Sequence, residues 1–123
     1  MPMDRWSDDR AGRWADIRTI DLTTTGRKSR VPRRIEIWWF FFEGRFVITG
    51  TPGPRDWYAN VLADSAVRIH VDGETIDATA TSVEDPEFRR RFFEHRTASW
   101  YSSMAELDAL IRTAPMVVLT PAG

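Results

Sequence analysis

Residues 33–43 read Arg33-Arg34-Ile35-Glu36-Ile37-Trp38-Trp39-Phe40-Phe41-Phe42-Glu43, and no other stretch limits the fold as much. The first half alternates, with Arg34, Glu36 and Trp38 on one side and Ile35, Ile37 and Trp39 on the other, which is the side-chain period of a strand. The second half is apolar on both sides, which suits a strand inside a barrel or beneath a helix. The apolar run 37–42 is far shorter than the roughly 20 residues that cross a bilayer, so no stable membrane insertion is expected.

The neighbouring segments supply partners for this strand. Residues 17–25 are rich in β-branched side chains and predict a strand, broken by the basic turn Thr25-Gly26-Arg27-Lys28-Ser29. Glu43-Gly44 predicts a tight turn, with residues 46–49 returning as the hairpin partner. After the Gly50-Thr51-Pro52-Gly53-Pro54 loop, residues 56–64 predict a short helix, with Asp56 in its first turn and Trp57, Val61 and Leu62 at helical spacing. Residues 66–71 and 75–83 predict a second hairpin around Asp72-Gly73. Asp85-Pro86-Glu87 opens a helix whose apolar face is Phe88, Phe92 and Phe93. A further helical segment is expected over 104–113 and a last strand over 115–120. Residues 1–16 read as a polar lead-in helix that puts Trp6 and Trp14 on one face. Helices do not alternate regularly with strands, so the expectation is a mainly antiparallel barrel of about six strands, with short helices interspersed. At 123 residues the chain is one domain, 1–123, with room for one core.

Six Trp and seven Phe in so short a chain imply either a very aromatic core or a pocket for a flat ligand. The absence of cysteine removes disulfides, thiolate nucleophiles and Cys-based metal sites, and suits a cytoplasmic location. His70 and His95 have no acidic partner at ligand spacing, so no metal site is expected. The sequence has no nucleophile elbow, Walker loop or dinucleotide fingerprint. Arg27, Lys28, Arg30, Arg33 and Arg34 fall close together with no acid among them. Nucleic acid is the usual suspicion for such a run, but the net charge of −1 argues against it, and a short anionic tail would serve as well. A basic turn, an aromatic strand and a Thr/Gly/Pro loop at neighbouring strand ends could hold a flat heterocycle with an anionic tail. Equally, a basic turn can be only a polar turn, and Trp38, Trp39 and Phe40 can be only core.

Ile20-Asp21-Leu22-Thr23-Thr24-Thr25-Gly26-Arg27-Lys28-Ser29, followed by Pro32-Arg33, resembles the deazaflavin-dependent nitroreductase family. So do Asp56-Trp57-Tyr58-Ala59-Asn60-Val61-Leu62-Ala63-Asp64 and Arg112-Thr113-Ala114-Pro115-Met116-Val117-Val118-Leu119-Thr120-Pro121, in the family's order. The resemblance implies a split β-barrel of the flavin-reductase and pyridoxamine-phosphate-oxidase type. It implies binding of coenzyme F-420, a deazaflavin with a phosphate and an oligoglutamate tail, and transfer of a hydride from the reduced ring to a quinone, nitroaromatic or activated alkene. Arg27, Lys28 and Ser29 match the phosphate- and tail-binding turn, and Arg33 matches a further basic contact. Gly50, Thr51 and Gly53 match the loop against the coenzyme, and Trp57 the aromatic behind it. Tyr101, with Trp100 beside it, is the candidate for the tyrosine that some members use in substrate protonation, and Trp38 the candidate for the substrate pocket.

The sequence departs from the family pattern in four places. Arg30 stands where a glycine is usual. Pro52 stands where a lysine often follows the loop Ser or Thr, and Arg55 is the candidate replacement. Glu36-Ile37 occupies the usual Pro-Leu position. Glu106 lies nearer than Tyr101 to the expected tyrosine position. A non-catalytic carrier of the coenzyme, and a barrel that has exchanged it for flavin mononucleotide or haem, stay open. Related barrels often pair, so a homodimer stays open too.

Overall fold

The computed structural model describes residues 6–122. Helix α1 (Asp8–Trp14) precedes strands β1 (Thr19–Thr25), β2 (Pro32–Trp38), β3 (Phe40–Phe42) and β4 (Arg45–Thr49). Helix α2 (Asp56–Ala63) is followed by β5 (Ala66–Val71) and β6 (Glu74–Ser82), then α3 (Pro86–Glu94), α4 (Ser99–Met104), α5 (Leu107–Thr113) and β7 (Met116–Pro121). The part of the expected lead-in helix before Trp6 lies outside the described residues.

All seven strands form one antiparallel sheet in the order β2-β1-β5-β6-β7-β4-β3. The first and last strands of that order, β2 and β3, are separated in the chain by Trp39 alone, so the sheet must curl until its two ends nearly meet. The architecture is therefore the expected split barrel, with seven strands instead of about six. The extra strand comes from Trp39, which breaks the single strand expected over 33–43. Its backbone N–H donates to Arg18 O at 2.9 Å and its indole Nε1 to Ile17 O at 2.7 Å, and the ring turns into the core. Both hairpin turns place two consecutive residues at positive φ, Glu43 (50°) with Gly44 (76°) and Asp72 (53°) with Gly73 (76°), the twist that matches the strands they join. Arg91 of α3 grips Glu43 with two hydrogen bonds, 2.8 and 3.0 Å, and lowers the pKa of that carboxyl.

Two apolar layers flank the curled sheet. Inside, Trp6, Trp14, Trp39 and Phe46 pack with Leu22, Ile48, Ile69 and Leu119, and Trp39 stacks on Phe46 at 3.9 Å between centroids. Trp6 and Trp14 meet edge to face at 6.0 Å, but not through one helical face as expected, because α1 starts at Asp8 behind the Ser7 cap and Trp6 lies before it. Trp6 Nε1 donates to Leu119 O at 2.8 Å, whereas among the described residues Trp14 Nε1 is the one buried side-chain nitrogen or oxygen without an acceptor. Outside, α3, α4 and α5 cover Phe40, Phe42, Val47 and Met116 with Phe88, Phe92, Phe93 and Tyr101. The helix expected over 104–113 is α5 alone, starting at Leu107, and α4 before it has no counterpart among the expected elements. Ala105 is fully extended (φ −152°, ψ 157°) and Glu106 is the extended N-cap of α5. Asp85 caps α3 as expected, accepting from Glu87 N at 3.0 Å. No helix of the described residues is long and apolar enough to cross a membrane.

His70 lies on the outer face of β5, within 2.7 Å of Thr23 Oγ1 and 3.2 Å of Thr75 Oγ1. Burial and the Arg34 charge hold its pKa below the ordinary histidine value, with Asp21 opposing and Arg68 reinforcing the shift. The unfolded chain therefore binds this proton more readily than the folded one. The stability tied to neutral His70 is full above the unfolded value of about 6.5 and is lost as the pH falls below it. The thermal midpoint should decline on acidification below about pH 6.5, with a component that His70→Gln removes. An unaltered pH profile in that variant would assign the decline to other groups.

Candidate functional site

The turn between β1 and β2 is built around Gly26. A Cβ there would sit 2.5 Å from Ser29 Oγ and 3.2 Å from Val31 O, so no other residue fits without moving the turn. Gly26 N–H donates to Val31 O and Arg30 N–H to Gly26 O, both at 2.9 Å, and Ser29 Oγ accepts from Val31 N at 3.2 Å. Arg30 closes the turn at φ 61°, in the left-handed region that favours glycine. Its guanidinium reaches Asp64 at 3.4 Å across an exposed surface. Strain of about 1 kcal/mol at a left-handed Arg outweighs an exposed pair worth a few tenths of that. Arg30→Gly should therefore raise stability by up to about 1 kcal/mol, read as a small rise in the urea midpoint. A lower midpoint would mean that the Asp64 pair dominates.

Asn60 fastens this turn to α2. It is 5 % exposed, on the same helical face as Trp57 and Val61. Its Oδ1 accepts from Arg27 N at 3.1 Å and Arg27 Nη1 at 3.0 Å, while its Nδ2 donates to Thr24 Oγ1 at 3.3 Å. The result is a groove of about 460 Å³ between the turn, β2 and α2. Arg27, Lys28, Ser29 and Arg33 supply its polar side, and Ile35 and Trp57 its apolar wall. Five of the residues marked by the sequence, Arg27, Lys28, Ser29, Arg33 and Trp57, are thus brought together. Lys28 and Arg33 make no ion pair among the described residues, whereas Arg27 is shared between Asn60 and Asp56, the latter at 3.4 Å. Such a set, with cations at one side and flat apolar surface at the other, is suited to a planar ring carrying an anionic tail.

The other marked residues lie elsewhere. Gly50, Thr51 and Gly53 form the loop that leads into α2 and do not line the groove. Arg55 does not replace the missing lysine as a groove cation. Its guanidinium turns into its own loop, donating to Thr51 O at 3.0 Å, Thr51 Oγ1 at 2.8 Å and Pro54 O at 3.0 Å. Gly53 adopts φ 132°, a backbone conformation that side chains disfavour, and a Cβ there would also come within 3.3 Å of that guanidinium. Glu36 is on the opposite face of β2 from Arg33 and Ile35, beside Asp21 and Arg34, so it does not disturb the anion groove. Trp38 shares that outer face and is exposed, edge to face with Trp100 at 5.6 Å. Tyr101 is buried against Phe40 and Trp100. Burial pushes its pKa to about 12, so it stays protonated at neutral pH, although Arg18 pulls the other way. These aromatics form a separate patch at the far end of β2, over which Arg18 stacks on Trp38 and Phe40. Among the described residues no three His, Asp or Glu side chains gather closely enough to hold a metal ion.

The resemblance drew in Arg27, Lys28 and Trp57, but residue reasoning assigned no role to Asn60. Its signal was present, because an amide on the apolar face of a short helix needs buried partners.

A structure described as an F420-H2 dependent reductase is 24% identical and covers 84% of this chain and 94% of that one, with a TM-score of 0.63. A conserved hypothetical protein of Mycobacterium tuberculosis is 18% identical over 100% of this chain and 85% of its own, at 0.69. A protein of Clostridium acetobutylicum described as related to general stress protein 26, of the pyridoxinephosphate oxidase family, is 11% identical over 92% and 81%, at 0.66. At these identities the likeness carries the split-barrel fold. The family described as F420H(2)-dependent quinone reductase matches residues 4–121, nearly the whole chain and every element around the groove, and the chain belongs to that family of F-420-dependent reductases.

Proposed function

We propose that this protein takes an organic acceptor, a quinone before a nitroaromatic or activated alkene, and reduces it with F-420 held in the groove between the basic turn and α2. The observation that carries this reading is the joining of Arg27, Lys28 and Arg33 with Ile35 and Trp57 in one groove. Lys28 and Arg33, with Arg27 and the Ser29 hydroxyl, would hold the phosphate and the acidic tail. Ile35 and Trp57 would support the ring. When bound in its reduced form, the deazaflavin supplies a hydride, which is the hard chemistry of the reaction. The protein needs only to orient the partners, exclude water and manage one proton.

β2 connects the groove to the Trp38 patch, and its outer edge has no strand partner among the described residues. An acceptor lying along that edge would meet the ring of Trp38 and that of Trp100. Tyr101 would stay protonated beneath this patch as a weak acid, so the acceptor's proton would come from solvent, and Arg18 would stabilise negative charge developing on an acceptor oxygen.

The test is a titration of the protein with F-420, followed by tryptophan fluorescence through Trp57, with flavin mononucleotide titrated in parallel. Micromolar or tighter binding of the deazaflavin alone, followed by quinone-dependent reoxidation of its reduced form, is the expected result. Preference for flavin mononucleotide, or binding of neither, would overturn it.

A further inference from the structure

One acid stands inside the anion groove. Asp56 lines it with Arg27, Lys28 and Arg33, and its side chain is 93% exposed. Its Oδ1 takes a single contact from Arg27 Nη2 at 3.4 Å. Arg27 does not need this contact for its position, because Asn60, buried and fixed on Thr24, already receives both the Arg27 backbone N–H and Nη1. The Asp56 pair is long, single and solvated, the kind that another anion displaces at little cost. Arg30 is likewise engaged by an acid, Asp64, just beyond the end of α2. Lys28 and Arg33 are the groove cations without an acid partner among the described residues.

We propose that Asp56 is an internal counter-ion of the groove, occupying Arg27 while no coenzyme is bound and yielding it to the coenzyme's phosphate or tail. It thereby sets how tightly anions are held. This rests on the reading of the groove as the F-420 site. Asp56 weakens binding in two ways: the incoming anion must displace a carboxylate from Arg27, and that carboxylate then remains nearby with like charge. It also favours α2 by lying at the helix N-terminus, so a helix-stabilising residue doubles as a limit on affinity. Such a limit keeps a coenzyme that must be exchanged after each hydride transfer from being held too long.

The measurement is F-420 affinity, by tryptophan fluorescence at low and high salt, for the wild type, Asp56→Asn, Arg27→Ala and the double variant. Asp56→Asn should bind F-420 roughly 3- to 10-fold more tightly at low salt, about the scale of one exposed charge pair, with a smaller gain at high salt. In the Arg27→Ala background the same substitution should give a clearly smaller gain. A merely structural aspartate would lower affinity or leave it unchanged when replaced, and either result overturns the proposal. An equal gain in both backgrounds also overturns it, because Asp56 would then act without Arg27. Absence of F-420 binding by the wild-type protein would instead refute the reading of the groove itself. Asp56→Glu, which keeps the charge, should bind like the wild type and separates charge from any effect on folding.

Discussion

Replacing Arg89 by alanine should cost about 3–5 kcal/mol of stability, a large part of what a domain of this size possesses. Arg89 is 6 % exposed, and its guanidinium donates to the carbonyl oxygens of Val83, Leu110, Ile111 and Ala114. Leu110 and Ile111 lie in the last turn of α5 and Ala114 just beyond it, where the helix dipole is negative and only Leu110 O among the three has a backbone partner, Ala114 N. The side chain thus closes α5, holds it to α3 and ties both to the end of β6. Burial lowers its pKa, yet it stays charged, because a guanidinium starts so high. Truncation removes the guanidinium from four carbonyls, of which Leu110 O keeps the Ala114 N–H, and opens a cavity, each a recognised source of large losses. Arg89→Lys should recover less than half, because an ammonium cannot reproduce the planar fork. Urea unfolding followed by circular dichroism measures both, and a loss below about 1 kcal/mol in the alanine variant would mean that water replaces the guanidinium without penalty.

The second large effect concerns binding. Lys28→Ala with Arg33→Ala should weaken F-420 binding by about 3 kcal/mol, roughly a hundredfold, while leaving folding intact. Both side chains are exposed and carry no ion pair among the described residues, so their removal breaks nothing internal. Arg27→Ala should lose less affinity, because part of its charge is already matched by Asp56, but it should lose more stability through the Asn60 contacts. The double variant should also show a flatter salt dependence, as expected when two cations leave an anion site. Retention of full affinity would place the anionic part of the ligand elsewhere.

Much of this was legible from local signals. The Glu43-Gly44 and Asp72-Gly73 turns, the Asp85-Pro86 start of α3 and the Gly26 turn each need particular backbone angles or caps, and those needs are written in single residues. The groove followed because its basic turn and the Trp57 helix carry recognisable motifs. What escaped was decided at long range. Residues 33–43 carry no Gly or Pro and stay strand-like on both sides of Trp39, and only the demands of the two sheet ends bend the chain there. Ala105-Glu106 contains neither Gly nor Pro, so nothing local divides α4 from α5. An arginine beside Phe88 reads as a solvated helix residue, because the carbonyls it serves lie some 20 residues on in the chain. Arg55 looks like a ligand cation in the sequence, which does not display the acceptors its own loop supplies.

The last strand is not an edge strand. β7 lies between β6 and β4, and the indole of Trp6 reaches across to Leu119 O. During synthesis the hairpins β1–β2 and β5–β6 are therefore delivered before β7, while β3–β4 waits with one open side for it. Until then the barrel can be neither joined nor closed, and the exposed flank of β4, with Phe46, Val47 and Ile48, is a surface to which a neighbouring nascent chain could add a strand. Such non-local pairing implies slow completion of folding, so yield in a host should depend on temperature and synthesis rate more than on the stability of the finished barrel.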